Sequence, residues 1–297
     1  MVTSGRDSGK WQQWGAGDQQ PAVPAAMAER PSHPAHTSQA DLHIHTAFSD
    51  GTGTVEEVLA FTQAHTDLAV IAVTDHDTID GALHARDLVA KGGYGFEVIV
   101  GEEITTREGH MLALYLERCV PPGLSIERSI ELVHAQGGLA IVAHPFHRLF
   151  RFSVQRSVMD RLVRQPELHP DGLETRNGSF AGIGASRVAT TLSRRYYHWA
   201  ETGGSDAHTP GAIGCARTRF TGHRASDVRE SLLARTTAPL GGYWSVSDYV
   251  AFSRHRIKHG AAPTCTDARP LVESAERGYR RTALRDARPQ WRSSAGA

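Results

Sequence analysis

Apolar residues cluster in short runs through the middle of the chain, and most runs end on polar residues or glycine. ADLHIH (40–45), LAVIAVTDH (68–76), FEVIVGEE (96–103), GHMLALYL (109–116), GGLAIVAHP (137–145), DGLET (171–175) and AETGGSDAH (200–208) predict strands, being short and largely β-branched. Their near-continuous apolar character suits strands covered on both faces. Between most of them the apolar positions recur with helical spacing. TVEEVLAFTQAH (54–65) opens with Thr54 as N-cap and Glu57 at the spacing of a capping box. SIERSIELVHAQG (125–137) has Ser125 as cap, Ile130 and Val133 on one face, and Gly137 as a stop. Residues 77–93, 185–199, 225–235 and 245–257 also read as helices. Strand, helix, strand in alternation predicts an α/β fold of parallel strands with crossover helices. A closed or nearly closed barrel is the simplest packing, and an open doubly wound sheet is the alternative.

The two ends lack this pattern. Residues 1–39 are rich in Gln, Pro, Ala, Ser and Gly and read as disordered, which leaves 40–258 as the folded domain. Residues 259–297 look similar, with a short helix expected around 270–285; a solvated tail is favoured over a nucleic-acid-binding arm. Basic and acidic residues balance at 32 each, so no overall field draws the chain to nucleic acid or membrane. It has no apolar run of membrane-spanning length and no apolar signal core. Cys119, Cys215 and Cys265 are far apart and odd in number, which predicts no disulfide framework and fits a cytoplasmic setting. No stable protein partner is implied.

Histidine is the outlier, with 17 copies. His43 and His45 end the first strand and His76 the second; Glu102 and Glu103 end the third. His110 opens the fourth, His144 ends the fifth, and Asp206 and His208 end the last. His45 to His76, His76 to Glu103, His144 to Glu174 and Glu174 to Asp206 are steps of 31, 27, 30 and 32 residues. Each is about one β-α unit, roughly 30 residues, so these positions return to one end of the sheet. In parallel α/β folds that end carries active sites. His43 and His45 stand two apart on a strand and so face one way, and Asp50 follows after a short turn. A lone buried histidine is more often a hydrogen-bonded core residue than a ligand. Nine donors at successive strand ends are a different case, because burying them is costly unless cations pair them. Nine are too many for one ion, so two or three are implied, sharing a carboxylate. The mixed imidazole and carboxylate set suits Zn²⁺, Mn²⁺ or Fe²⁺.

DLHIHTAFSDG, AVTDHDT, GEEITT, HMLAL, AHP and GSDAH together resemble the motifs of the PHP (polymerase and histidinol phosphatase) superfamily. They look most like its small stand-alone phosphoesterases of the nucleoside-bisphosphate phosphatase and RNase AM type. The resemblance covers roughly residues 40–250. It implies a distorted (β/α)7 TIM-like barrel with a trinuclear metal centre. It implies His43, His45 and Asp206 on one metal, Glu103 bridging to a second completed by His110 and His144, and Asp50, His76 and His208 on the third. Glu102 falls beside the bridging position. The segment after AHP is short, and GLETRNG stands where a longer helical insertion often sits, so the substrate stays open.

Such a centre generates hydroxide near neutral pH, which points to hydrolysis of a phosphate ester, foremost a monoester. The substrate would be a small phosphorylated metabolite, a nucleotide or a short oligonucleotide. Arg148 is the candidate phosphate clamp, and Arg176 and Arg107 lie in loops that can serve likewise; a surface role is the alternative for each. His147 is a candidate proton donor to the leaving group, or else a solvated loop histidine. Asp75 and Asp77 flank His76 and either orient metal-bound imidazoles or, for Asp77, cap the following helix. Two other readings are a hydrolase of C–N or lactone bonds on a similar barrel and a non-catalytic metal-binding module. The first usually needs a lysine, and the three present, Lys10, Lys91 and Lys258, fall near no motif.

Overall fold

The computed structural model describes residues 36–259. The expected disordered ends, the helix around 270–285 and Cys265 fall, wholly or for the most part, outside them. The elements run β1 (Thr37–Ile44), α1 (Val55–His65), β2 (Val70–Val73), α2 (Asp80–Ala90), β3 (Glu97–Thr105), β4 (His110–Leu114), α3 (Ile126–His134) and β5 (Leu139–Val142). They continue α4 (Arg156–Val163), β6 (Gly172–Asn177), α5 (Ala185–Leu192), β7 (Ala200–Gly204), β8 (Ala216–Thr221), α6 (Ala225–Leu233), β9 (Ala238–Gly241) and α7 (Val246–His259). Both expected caps are present: Thr54 and Glu57 form a capping box on α1, and the Ser125 hydroxyl accepts from the Arg128 amide at the start of α3. No helix among the described residues is long and apolar enough to cross a membrane.

The strands form one sheet in the order β7-β6-β5-β4-β3-β2-β1-β8-β9, which curls into a nearly closed barrel. Closure falls at the end of β1, where the His45 amide donates to the Ala207 carbonyl at 2.9 Å and the Ala207 amide to the His43 carbonyl at 3.3 Å. The N-terminal half of the same edge is taken by β8, antiparallel to Thr37–Ala40. Ala40, Leu42, Val70, Ile99, Leu112 and Ile141, from five strands, fill the interior. Val228 and Leu232 of α6 join that cluster and close its lower end. Leu59 of α1, Ala82 of α2, Ile130 of α3 and Leu162 of α4 pack in a second cluster with Ile44, Ile71 and Val142.

The sheet is mixed rather than all parallel. β4 runs antiparallel to both β3 and β5. The connection between β3 and β4 is too short for a crossover helix, so the chain turns back as a hairpin. β8, β9 and α4 were not among the expected elements. The expected helix over 185–199 stops at Leu192, continues as one wide turn over Ser193–Tyr197, and ends at His198 in left-handed backbone, φ 54°.

Candidate metal centre

Strand geometry places the donors. A register irregularity between Asp41 and Ile44 breaks the alternation of β1. Across it Leu42 packs inward and Ile44 toward the helices, while His43 and His45 share the inner rim. On β3, Glu103 faces inward and Glu102 outward. The Glu102 carboxyl accepts the Val120 amide at 2.9 Å and the Cys119 thiol at 3.1 Å, so it belongs to the packing under that loop. Because β4 is antiparallel, His110 at its start reaches the rim where β3 ends. A bridge between His76 and Glu103 fixes His76 beside them. His144 and Asp206 leave β5 and β7 in left-handed backbone, φ 25° and 52°. Such conformations cost about 1–3 kcal/mol each, and strain of this kind clusters at functional sites.

All nine predicted donors converge. His43 Nε2 lies 3.2 Å from Glu103 Oε2 and 3.3 Å from Asp206 Oδ1; His45 Nε2 lies 3.2 Å from both oxygens. Donors about 2.1 Å from a shared tetrahedral ion stand about 3.4 Å apart, so these four atoms nearly fit one cation. His208 Nε2 is 3.0 Å and His76 Nε2 3.7 Å from Asp50 Oδ1, and these residues with His45 form a second group. Glu103 Oε1 meets His110 Nδ1 and His144 Nε2, both at 2.9 Å. His76 turns its Nδ1 to Glu103 Oε2 at 3.3 Å and so belongs also to a third group, with Glu103 and His110. The resemblance had placed His76 with Asp50 and His208 alone.

The donor set passes a chemical test for cations. His43 Nε2, both nitrogens of His45, Asp50 Oδ1, His76 Nδ1 and His110 Nδ1 are buried without a hydrogen-bond partner among the described residues. Each such atom costs about 1–3 kcal/mol, so their concentration at one rim fits a group bound there, as divalent cations would be once the imidazoles are neutral.

The electrostatics agree. Burial opposes a proton on His43, yet Asp206, Glu103 and Glu174 outweigh it and hold its pKa well above the usual histidine value. His45 is likewise pushed up to about 10, burial again opposed by the Asp206 and Glu103 carboxylates. His76 goes the other way, lowered to about 3 by burial, with Glu103 opposing and the His45 and His110 charges reinforcing. Against burial, neighbouring histidines hold Asp50, Glu103 and Asp206 below the carboxylate range.

Several residues outside the predicted set hold these donors. Glu174 on β6 takes His43 Nδ1 at 3.1 Å through Oε1, and through Oε2 accepts the His144 amide at 2.8 Å and Asn177 Nδ2 at 2.9 Å. The Ser179 hydroxyl donates to Asp206 Oδ2 at 2.7 Å. Glu174 was legible as a rim position one β-α step past His144; Asn177 and Ser179 carried no signal of their own. Asp75 does not touch the His76 ring. It accepts the Thr46 amide and hydroxyl, both at 2.7 Å, and the Ser49 hydroxyl at 2.6 Å, and so shapes the turn that delivers Asp50. Asp77 accepts the Thr105 amide at 2.7 Å and does not cap α2, whose N-cap is Ile79.

None of the expected helpers makes a hydrogen bond or ion pair with the nine donors among the described residues. Arg107 donates to the Gly123 carbonyl at 2.9 Å, and Arg176 to the Tyr243 hydroxyl at 3.4 Å. Arg148 is exposed and lines a cleft with Phe146, His147, Leu149 and Ile183. His147 is buried rather than solvated, between the rings of Phe150 and Phe180, with Nδ1 lacking a partner. Arg256 on α7 was not foreseen; its Nη1 lies 3.3 Å from Asp50 Oδ2.

Comparison with known proteins bears on the family and the fold. Residues 41–174 match the PHP domain, and residues 189–237 match the PHP-associated segment. Uncharacterized protein MJ1587 of Methanocaldococcus jannaschii is 34% identical over 182 residues, covering 55% of this chain and 99% of its own. The 5'-3' exoribonuclease Rnm of Salmonella typhimurium is 23% identical over 256 residues, covering 57% of this chain and 85% of its own. Among solved structures, a two-domain protein from Bacteroides vulgatus containing a predicted PHP-like metal-dependent phosphoesterase superposes with TM-score 0.56. It is 18% identical, and the match covers 74% of this chain and 70% of that one. Sequence match, barrel and convergent donors therefore coincide, and the chain belongs to the PHP domain family.

Proposed function

We propose that this protein hydrolyses phosphate esters of a small phosphorylated metabolite or nucleotide, with two or three divalent cations at the barrel rim. The observation that carries the reading is the convergence of nine donors on one rim of the barrel, several of them with buried atoms that lack a hydrogen-bond partner among the described residues. His43, His45, Glu103 and Asp206 would hold one cation; Glu103, His110 and His144 a second; Asp50, His76 and His208 a third. Bound there, Mn²⁺, Zn²⁺ or Fe²⁺ supplies Lewis acidity and makes water acidic enough to act as a nucleophile near neutral pH. Glu174 fixes the His43 ring so that Nε2 faces the centre. The Asp206 carbonyl, 2.9 Å from His208 Nδ1, does the same for His208. His147, two residues past Pro145, is the proton donor assigned to the leaving group. The exoribonuclease named above, at 23% identity, supports phosphoester chemistry.

The test is metal content per chain after reconstitution, followed by phosphate release over a panel of phosphoesters with Mn²⁺, Zn²⁺ or Mg²⁺. Two or three bound ions and metal-dependent release are expected. Retention of no ion, or release indifferent to chelation, would overturn the reading.

A further inference from the structure

α7 lies beyond both matched segments, which end at residues 174 and 237. It nevertheless reaches the centre. The Phe252 ring packs 4.9 Å from His208, and the Trp244 ring 5.7 Å from it. Trp244, two residues before the helix, donates Nε1 to the Ser205 carbonyl at 2.8 Å, and the Thr209 hydroxyl donates to Asp248 on the helix at 3.1 Å, so the start of α7 is anchored on both sides of Asp206. One turn beyond Phe252, Arg256 sets Nη1 3.3 Å from Asp50 Oδ2, while Asp50 Oδ1 faces His208 Nε2 at 3.0 Å. A single carboxylate therefore stands between this guanidinium and the imidazole cluster.

Arg256 is also open to solvent, its side chain 35% exposed. A guanidinium has five N–H donors in a planar fork, and the Asp50 contact engages one nitrogen. The remaining edge suits two oxygens of a phosphate. Arg107 and Arg176 are engaged elsewhere, and Arg148 makes no hydrogen bond or ion pair with the nine donors among the described residues. A fixed cation beside the cluster favours the more highly charged ligand: a monoester carries about two negative charges near neutrality and a diester one.

We propose that Arg256 binds the phosphoryl group of a terminal phosphate monoester at the mouth of the centre and so selects monoesters over diesters. This rests on the phosphoester reading above. The experiment uses the full chain with Arg256→Ala and Arg256→Lys, loaded with Mn²⁺. It measures metal content, the Kd of inorganic phosphate by calorimetry, and kcat/KM on p-nitrophenyl phosphate and bis(p-nitrophenyl) phosphate. For Arg256→Ala the expected results are unchanged metal content, phosphate binding weakened about 10- to 100-fold, and a monoester-to-diester ratio at least about tenfold lower, mainly through KM. Lysine should restore part of each. Equal losses on both esters with lost metal would show that Arg256 only positions Asp50, and an unchanged ratio and Kd would show that it touches no phosphate; either overturns the proposal. If the wild type turns over neither ester, the hydrolytic reading fails separately, and the phosphate-binding comparison still decides on Arg256.

Discussion

His43 Nδ1 lies 3.1 Å from Glu174 Oε1, and that contact decides which nitrogen of His43 faces the centre. The other Glu174 oxygen holds the His144 amide and the Asn177 side chain. One buried carboxylate on β6 thus fixes a donor on β1 and the backbone of a donor after β5. It accepts hydrogen bonds at both ends, so its role is orientation.

Replacing Glu174 by glutamine keeps the shape but turns one acceptor into a donor. The His43 ring then loses the partner that sets its tautomer. Partners of this kind typically govern metal affinity or activity by about 10- to 100-fold. Glu174→Gln should lose metal to a chelator at correspondingly lower concentration and turn over more slowly by a similar factor, with its circular dichroism unchanged. Wild-type metal retention would remove Glu174 from the centre.

Gly204 sits where β7 passes closest to this pair. A Cβ there would stand 2.5 Å from His43 Cβ and 2.6 Å from Glu174 Oε1, closer than such atoms approach. Neither neighbour is free to move, since both are buried and hydrogen-bonded. Gly204→Ala should therefore lower stability by about 1–3 kcal/mol and weaken metal retention together, read by thermal melts with and without Mn²⁺. A variant as stable as the wild type would show that β7 can shift away from β1.

His45 takes part in two donor groups and Asp206 joins His43 to His45, so neither has a substitute. His45→Ala and Asp206→Ala should each abolish phosphate release while the protein stays folded and soluble. Full turnover in either variant would refute the assigned centre.

The rim was legible because its signal is local. His43 and His45 show their common face by spacing, whereas the choice of Glu103 over Glu102 came from the family resemblance, since alternation alone leaves open which of the two faces inward. His110 was legible as a donor while its strand's direction was not; only the shortness of the 105–110 link betrays the hairpin. β8 was hidden by Arg217 and Arg219 on its outer face, although Ala216, Thr218 and Phe220 alternate inward. Arg256 meets Asp50 across a sequence separation of 206 residues, and nothing in the amphipathic pattern of α7 names the one side chain that reaches the centre. Adjacency to His76 suggests an imidazole partner in Asp75, whereas its carboxyl turns to Thr46 and Ser49 and so to the turn before Asp50.

The metal-free centre stores protons, and this sets how metal affinity depends on pH. His43 and His45 have raised pKa values, about 10 for His45, so they stay protonated from acid through neutrality and lose the proton only as pH climbs through those values. His76, lowered to about 3, is already neutral, and Asp50, Glu103 and Asp206, held low, are already ionised. Cation binding requires neutral imidazole, so loading near pH 7.5 should expel about two protons, with a further fraction from His144, whose pKa is also raised. Affinity should rise with pH up to about 10, and proton release should fall toward zero there. Without metal, the stability lent by the raised histidines persists through neutrality and fades in alkali, while that lent by the depressed carboxylates fades in acid. Calorimetric Mn²⁺ titrations at pH 7.5 in two buffers of different ionisation enthalpy give the proton count directly. A count of zero would mean that His43 and His45 are neutral before metal arrives, and that their 3.2–3.3 Å contacts with Glu103 and Asp206 hold no charge pair.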